Sequence, residues 1–348
     1  MLLEKIYTLI SNIYQIGRKM IKSINGESLK TILIPMSIQC KKCKRNNAVY
    51  LRQYSGESLC RVCFTKSVEY KVKRTISKFS MIKHNDKVGV AVSGGKDSLV
   101  LLSILKNTLS GLNPELVAIT VDEGIQGYRD ESLNIVKNFC SRIGVENKVF
   151  SFREIFGVSM DTAMEIRPSN KVSSCSICGT FRRRAIDLLA ESCGANVIAT
   201  GHNLDDYVQT FLINLFSGDV GRIAWTYPEP IEYGDKGLRK IKPLMEIYEK
   251  ELVLYAIYTD IPFQAEECPY KNESIRSMFR NHLNNLEKIH PGIKYNAYNS
   301  ILKIASKLKS KSDNNVSNQE HRRCISCNRD SSNRICSVCQ TLNLLNIG

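Results

Sequence analysis

The stretch from residue 91 to residue 98, which reads AVSGGKDS, restricts the fold of this chain more than any other feature of its sequence. The apolar run at 88–92 leads into the glycines and predicts a buried strand, and the apolar residues at 98–109 predict a helix. A glycine turn between a strand and a helix presents backbone N–H groups and the positive end of the helix dipole to one anion. We therefore predict a phosphate-binding loop in which Lys96 supplies a positive charge.

This loop is shorter than the common nucleotide-triphosphate loop, in which eight residues end in Gly-Lys-Ser or Gly-Lys-Thr. Only Ser93, Gly94 and Gly95 separate the strand from Lys96. An ordinary glycine-rich turn is the alternative interpretation. We disfavour it because six specific residues, SGGKDS, coincide with a predicted strand-to-helix junction.

The surrounding sequence alternates between strand and helix patterns. Further strands are predicted at 116–121, 148–151 and 196–200, with helices at 130–143 and 180–192. Such alternation predicts a parallel sheet with helices on both faces, and ligands of such sheets bind at the carboxyl ends of the strands. The segments VDEG (121–124) and GHNLDD (201–206) also follow strands, so we expect them to meet the glycine loop at one crevice.

Composition points to a basic protein with metal sites. Lys and Arg outnumber Asp and Glu by 49 to 34, a surplus that favours a polyanion, either nucleic acid or an anionic membrane. No apolar run is long enough for a transmembrane helix and the start lacks a secretory pattern, so we expect a cytosolic protein with no membrane partner. Thirteen cysteines in such a chain favour metal binding over disulfides.

Eight of the cysteines form two pairs of Cys-x-x-Cys motifs with the spacing of structural zinc sites. The first predicted zinc site comprises Cys40, Cys43, Cys60 and Cys63, and the second comprises Cys324, Cys327, Cys336 and Cys339. A purely structural zinc is expected in each. Whether the lysines and arginines around the first site also touch RNA is left open.

A fifth motif, Cys175-x-x-Cys178, has no second pair nearby. With Cys268 it could hold a four-iron cluster through three thiolates, leaving one iron open to a substrate sulfur. A redox disulfide and a catalytic persulfide are the alternatives. Cys140 and Cys193 lie in helical patterns and are interpreted as small core residues.

The ends of the chain differ from its centre in composition. Residues 1–37 have apolar side chains at helical spacing and predict an amphipathic helix docked on the domain or on a partner. A translation start at Met36 and a membrane-surface helix are the alternatives. The polar stretch at 310–320 predicts a linker. Basic helices at 276–294 and 303–311 are either solvated surface or RNA contacts.

In combination these motifs resemble the tRNA 2-thiouridine synthetases, which are PP-loop N-type ATP pyrophosphatases. The family includes the archaeal and eukaryotic wobble-uridine thiolases and the 2-thioribothymidine synthetases. The resemblance covers about 40–339 and rests, beside the two four-cysteine modules, on SGGKDS, CSICGTFRRRAI (175–186), TGHNLDD (200–206) and AEECPY (265–270). One departure is Gln209-Thr210, where the family usually has Glu-Thr.

The resemblance implies an α/β fold, a parallel-sheet PP-loop ATP pyrophosphatase domain flanked by two small zinc-binding modules. The implied segments are an N-terminal extension at 1–37, a zinc finger at 38–66, the catalytic domain at 67–309, a linker at 310–320 and a zinc ribbon at 321–348.

The resemblance also implies an activity, ATP-dependent 2-thiolation of a tRNA uridine. The uridine 2-oxygen would be adenylated with release of pyrophosphate, and sulfur would then displace AMP. Wobble position 34 is favoured. The alternatives are position 54, cytidine 32, and a non-enzymatic zinc-ribbon factor that binds RNA.

Residue roles carry over from the same resemblance. A [4Fe-4S] cluster would bind Cys175, Cys178 and Cys268. The implied catalytic residues are Lys96, Asp97, Arg182 and Asp206, with Mg²⁺ held by Asp97 or Asp206. ATP would contact Ala91, Val92, Ser93, Gly94, Gly95, Lys96, Ser98, Ile119, Arg182 and Gly201. The implied partners are tRNA, a sulfur donor (a ubiquitin-like thiocarboxylate protein or sulfide) and a second copy in a homodimer.

Overall fold

The structure is a computed structural model, and it describes most of the chain. The described residues are 38–109, 111, 114–168, 172–230, 232–233, 237–270, 275–313 and 323–347. The amphipathic helix predicted at 1–37 and most of the predicted linker lie outside them. No helix in this described part is both long and apolar enough to cross a membrane.

The described residues divide into two compact units. The first contains 38–67 and 265–269, and the second contains 68–264 and 270–347. In the first unit, strands β1 (Tyr50–Arg52) and β2 (Glu57–Leu59) form an antiparallel hairpin. The ring of Tyr50 packs edge-on against Phe64, with centroids 4.9 Å apart. This small unit therefore has an aromatic centre beside its cysteines.

The second unit is built on a six-stranded sheet with the order β5-β4-β3-β6-β8-β7. Its strands are β3 (Lys87–Ala91), β4 (Glu115–Asp122), β5 (Glu146–Ser151), β6 (Val197–Thr200), β7 (Glu232–Tyr233) and β8 (Leu238–Ile241). All pairings are parallel except that of β7 with β8. The prediction of an α/β fold with a parallel sheet is confirmed.

Twelve helices surround the strands in the described part of the chain. They are α1 (Arg61–Lys78), α2 (Lys96–Thr108), α3 (Arg129–Ile143), α4 (Phe152–Phe156), α5 (Met160–Ile166), α6 (Ser174–Ser192), α7 (Leu204–Phe216), α8 (Val220–Ala224), α9 (Glu249–Tyr258), α10 (Arg276–Ile289), α11 (Ile293–Asp313) and α12 (Ser337–Leu344). Helix α2 is buried along most of its length because it carries a continuous apolar run, and it anchors the core behind the glycine loop.

The order of the strands reverses at β3. Strand β3 pairs with β4 on one side and with β6 on the other. Ligands of open α/β sheets bind at such switch points, outside the carboxyl ends of the strands. The loops that follow β3 and β6 are therefore adjacent at the place where a ligand is expected.

Two helices have boundaries that differ from the predicted ones. Helix α6 begins at Ser174, not near residue 180, because the Ser173 side chain accepts a hydrogen bond from the backbone N–H of Ser176 and caps it. Cys175 and Cys178 consequently lie in its first turn. Helix α11 continues to Asp313, four residues into the segment predicted as a linker.

Candidate active site

The glycine loop between β3 and α2 is held in shape by its own hydrogen bonds. The Ser98 hydroxyl accepts from the Ser93 N–H at 3.1 Å and donates to the Gly95 carbonyl at 2.9 Å. Gly94 has a φ of 86°, and a Cβ there would lie 2.7 Å from Cβ of Ser132. Glycine is therefore required for the loop to lie against α3, and the loop is preorganised for an anion.

A second loop, between β6 and α7, lies directly against the start of α2. A Cβ on Gly201 would be 3.0 Å from both the Asp97 carbonyl carbon and the Ser98 nitrogen. The Asn203 side chain donates to Asp97 Oδ2 at 3.3 Å, and it caps α7 by accepting from the N–H of Asp206 at 3.0 Å. These contacts bring the two predicted acidic residues to one place.

Lys96 is held by carboxylates on both sides. Its Nζ lies 2.9 Å from Glu249 Oε1 and 3.4 Å from Asp97 Oδ2. Burial opposes the charge of Lys96, but Asp97 and Glu249 outweigh it and raise the pKa of the ammonium group. Lys96 is therefore a fixed cation at the mouth of the loop.

Glu249, the first residue of α9, was not singled out by the sequence analysis. Burial opposes its charge, but Lys96 and Arg280 outweigh burial and lower the pKa of Glu249 to about 2. Its backbone N–H donates to Asp205 at 2.7 Å, and Asp205 also accepts from Lys294. Glu249 therefore stays ionised and positions the ammonium group of Lys96.

The carboxylates near Lys96 repel one another. Burial and the charges of Glu249 and Asp206 raise the pKa of Asp97 to about 7, although Lys96 opposes the shift. Burial and Glu249 also raise the pKa of Asp206. Asp97 Oδ1 is buried and has no hydrogen-bond partner within the described residues. Crowded carboxylate oxygens of this kind suit a divalent cation such as Mg²⁺.

Two arginines lie near the carboxyl end of β4, beside the same crevice. Arg129 forms an ion pair with the buried Glu123 at 2.7 Å and donates to the carbonyls of Ser93 at 2.9 Å and Val121 at 2.6 Å. Arg182 of α6 lies 3.8 Å from the other oxygen of Glu123. Arg129 therefore ties the glycine loop to the end of β4. Arg129 was not predicted as a site residue, because an arginine at the start of a predicted helix is ordinarily a surface residue.

Ile119, one of the residues predicted to contact ATP, is packed between β4 and β3. Its side chain is only 1 % exposed, and its carbonyl accepts from the Val92 N–H at 2.8 Å. The side chain also fills the space above Gly89, where a Cβ would lie 2.4 Å from Ile119 Cδ1. The side chain of Ile119 therefore belongs to the core, and its contact with ATP stays a prediction. Val92 is buried as well, and Ala91 is half-buried.

A cleft with a cationic rim adjoins the acidic residues. Its lining residues are His202, Asn203, Asp206, Tyr207, Thr210, Thr226, Lys242 and Met245. Burial and the charge of Arg276 lower the pKa of Lys242, and Arg276 itself donates to Thr210 at 3.1 Å. Lys242 was also missed by the sequence analysis, since no motif marks it.

Cys175 and Cys178 lie three residues apart in the first turn of α6. Cys175 is exposed, Cys178 is half-buried, and neither forms a disulfide within the described residues. Residues three apart on one helix share a face, so this pair fits its predicted use as cluster ligands. Cys268 belongs to the first unit, and the three-cysteine cluster remains a prediction.

The four cysteine sulfur atoms of each predicted zinc site lie close together. Within each group the sulfur atoms all lie within 4.8 Å of one another. Cys43 Sγ and Cys60 Sγ are 3.8 Å apart, and Cys327 Sγ and Cys336 Sγ are 3.7 Å apart. Tetrahedral zinc with bonds of about 2.3 Å requires sulfurs about 3.8 Å apart, so both groups fit Zn²⁺.

Both groups also share a local backbone design. In each, the residue after the first Cys-x-x-Cys has a positive φ, 55° at Lys44 and 54° at Asn328. Burial opposes ionisation of Cys40, but backbone N–H groups outweigh it and lower the pKa of its thiol to about 6. The N–H of Cys336 has the same effect on Cys324. Such thiols lose their protons readily to a metal ion.

Replacing Cys40 with serine is expected to remove one zinc ion per chain and to unfold the first unit, because zinc binding supplies much of the folding free energy of such small modules. The Cys324→Ser variant should lose the other zinc. Zinc content per chain, with Cys193→Ser as the control, measures both effects. Full zinc content in either variant would contradict the assignment of that site.

Replacing Gly201 with alanine is expected to weaken ATP binding, because the added Cβ would push the β6–α7 loop away from the start of α2. A contact of 3.0 Å requires a backbone shift, and we expect the Kd for ATP to rise about 10-fold, which corresponds to about 1.4 kcal/mol. The control is Gly111→Ala, where nothing lies within 4 Å of the added atom. Equal ATP affinity in the two variants would show that the loops are not tightly packed.

The short glycine loop, the fixed lysine and the carboxylates at the switch point of a parallel sheet define a PP-loop nucleotide-binding protein. Residues 65–287 match the family model of the PP-loop domain.

Relatives and a solved structure extend this match over most of the chain. Cytoplasmic tRNA 2-thiolation protein 1 of Drosophila yakuba is 37% identical over 316 residues, which is 90% of each chain. A Methanocaldococcus jannaschii protein named "Probable sulfurtransferase" is 35% identical over 85% of each. The structure of the U34-tRNA thiolase NcsA from Methanococcus maripaludis, with its [4Fe-4S] cluster, superposes with a TM-score of 0.75 at 32% identity, over 91% of this chain and 98% of that one.

The chain therefore belongs to the PP-loop family and, within it, to the family of cytoplasmic tRNA 2-thiolation protein 1. The resemblance drawn from the motifs is confirmed.

Proposed function

We propose that this protein is an ATP-dependent tRNA sulfurtransferase of the cytoplasm that replaces the 2-oxygen of uridine 34 with sulfur. The observation that carries the proposal is the face of α6 shared by Cys175, Cys178 and Arg182, which are spaced at i, i+3 and i+7. Arg182 lies beside Glu123 at the carboxyl end of β4. One helix thus connects the cysteine pair to the crevice that receives the phosphates of ATP.

The first step activates the uridine. The phosphates of ATP bind the N–H groups of the glycine loop and the start of α2, comprising Ser93, Gly94, Gly95 and Ser98. Lys96 and a Mg²⁺ ion on Asp97 or Asp206 neutralise charge as the uridine 2-oxygen attacks the α-phosphate. The bond between the α- and β-phosphates breaks, and pyrophosphate leaves. Arg182 would stabilise the charge on the α-phosphate.

The second step replaces oxygen with sulfur. A sulfur nucleophile attacks C2 of the adenylated uridine, the C2–O bond breaks, and AMP leaves with the former 2-oxygen. Cys175, Cys178 and Cys268 would hold a [4Fe-4S] cluster, which when bound offers an iron site for the incoming sulfur. The relative NcsA carries such a cluster.

Several parts of the chain support tRNA as the substrate. The net charge of +15 favours a polyanion, and the crevice is bordered by Lys242, Arg276 and Arg182. The two zinc modules would be structural. We further propose that the protein acts as a homodimer and takes its sulfur from a ubiquitin-like thiocarboxylate protein or from sulfide.

A single-turnover reaction with ATP, sulfide and unmodified tRNA tests the proposal. Pyrophosphate and one 2-thiouridine per tRNA are expected, and digestion followed by mass spectrometry should place the sulfur at position 34. Sulfur at position 54 or at cytidine 32 would contradict the proposed target. Pyrophosphate release without any thiolated nucleoside would contradict thiolation itself.

A further inference from the structure

An exposed aromatic side chain next in sequence to a residue of the cleft wall has no role in the two steps above. Trp225, directly after α8, is 78% exposed, although it is the largest side chain in its neighbourhood. Its neighbour Thr226 is buried, lines the cleft and accepts a hydrogen bond from the Tyr207 hydroxyl at 2.8 Å. The indole is therefore anchored one residue from the cleft wall while its surface stays open to solvent.

The surroundings of Trp225 are positively charged. Arg222 on α8 is also largely exposed and forms a surface ion pair with Asp219 at 3.1 Å. Burial and the charges of Arg182 and Arg222 lower the pKa of Arg183 on α6, so the positive charges of α6 and α8 act on one another. An exposed indole amid such charge suits nucleic acid better than an apolar protein surface.

The proposed chemistry creates a need for such a side chain. A loop uridine is stacked on its neighbours, and its 2-oxygen can reach the α-phosphate only if the base leaves the stack. Leaving the stack costs a few kcal/mol, which an enzyme can offset by stacking an unpaired base on an aromatic ring.

Resting on the proposed function, we infer that Trp225 is a stacking platform for an unpaired tRNA nucleotide next to the target uridine, with Arg222 contacting the adjoining phosphate. The occupant is a single-stranded loop of the RNA, because a paired stem would keep its bases covered.

Binding of an anticodon stem-loop tests this inference without the chemical reaction. Trp225 is the only tryptophan in the chain, so its fluorescence reports on this position alone. Titrating the full-length metal-loaded protein with an unmodified tRNA anticodon stem-loop, without ATP, is expected to quench the emission. Quenching should not occur with a fully paired duplex of the same length.

Variants separate stacking from general charge. Trp225→Ala is expected to raise the Kd for the stem-loop by about 5- to 150-fold, the range of one lost base stack of about 1–3 kcal/mol, whereas Trp225→Phe should retain most of the affinity. Arg222→Gln should lower the salt dependence by about one phosphate contact. The control is Phe150→Ala, an exposed aromatic on β5, which is an edge strand of the sheet.

Three results would overturn the inference: binding without quenching, equal affinities for Trp225→Ala and wild type, or a changed oligomeric state with unchanged affinity, which would mark a protein interface. The proposed function is judged separately by thiolation. A stem-loop that binds and quenches, in a protein that forms no thiouridine, would support the platform and contradict the function.

Discussion

Replacing Lys96 with methionine is expected to lower the rate of pyrophosphate release by about 10²- to 10³-fold, the usual effect of removing one group that stabilises developing charge. The side chain of methionine is similar in length but lacks the cation that Asp97 and Glu249 hold in place. The loop itself should survive, since its shape depends on Ser98 and the glycines. Single-turnover pyrophosphate release measures the effect.

The matched control is Lys106→Met in the last turn of the same helix, where the exposed ammonium group donates to the Gly144 carbonyl. We expect that variant to react at the wild-type rate. A second comparison is Glu249→Gln, which removes one of the two charges that hold Lys96. It should slow the reaction less than Lys96→Met does. A Lys96→Met enzyme with normal pyrophosphate release would remove Lys96 from the proposed mechanism.

Replacing Cys178 with serine is expected to abolish iron binding and thiolation while leaving pyrophosphate release intact. Mutating a residue that hydrogen-bonds to a metal ligand costs roughly 10- to 100-fold in metal affinity or activity. Loss of the ligand itself should therefore cost at least about 100-fold. Cys175→Ser and Cys268→Ser should have the same effect. Iron, zinc and thiouridine are measured on the same anaerobic preparations.

Cys193→Ser is the control, because Cys193 lies at the other end of α6 and outside all proposed metal sites. Iron should fall in the three ligand variants while zinc stays constant. Unchanged iron in any of them would contradict the ligand set. A loss of thiolation with full iron content would instead favour the persulfide alternative.

The motifs predicted local structure well because local structure depends on neighbouring residues. The SGGKDS loop adopts its shape through contacts between Ser93, Gly95 and Ser98, all within five residues. The zinc modules likewise depend on turns within each Cys-x-x-Cys and on short connections between the pairs. The parallel sheet followed from alternating strand and helix patterns.

Contacts between distant residues could not be predicted in this way. Glu249 reaches Lys96 from 153 positions along the chain, and no sequence pattern connects them. The packing of Ile119 also could not be predicted from the sequence. The family resemblance implies a contact of Ile119 with ATP, but it could not show that the side chain of Ile119 packs against Gly89. Which face a strand residue presents depends on pairing and packing.

The sequence by itself determined the chemical groups of this protein: a phosphate loop with its lysine, two four-cysteine modules, and a family to which they belong. The tertiary structure decided how these groups meet. Parallel pairing of β3 with both β4 and β6 places three loops at one edge, where Lys96 gains Glu249 and Arg129 reaches the loop carbonyl. Hydrogen bonds between neighbouring residues can be predicted from the sequence, whereas the burial of a charged group depends on contacts between distant parts of the chain.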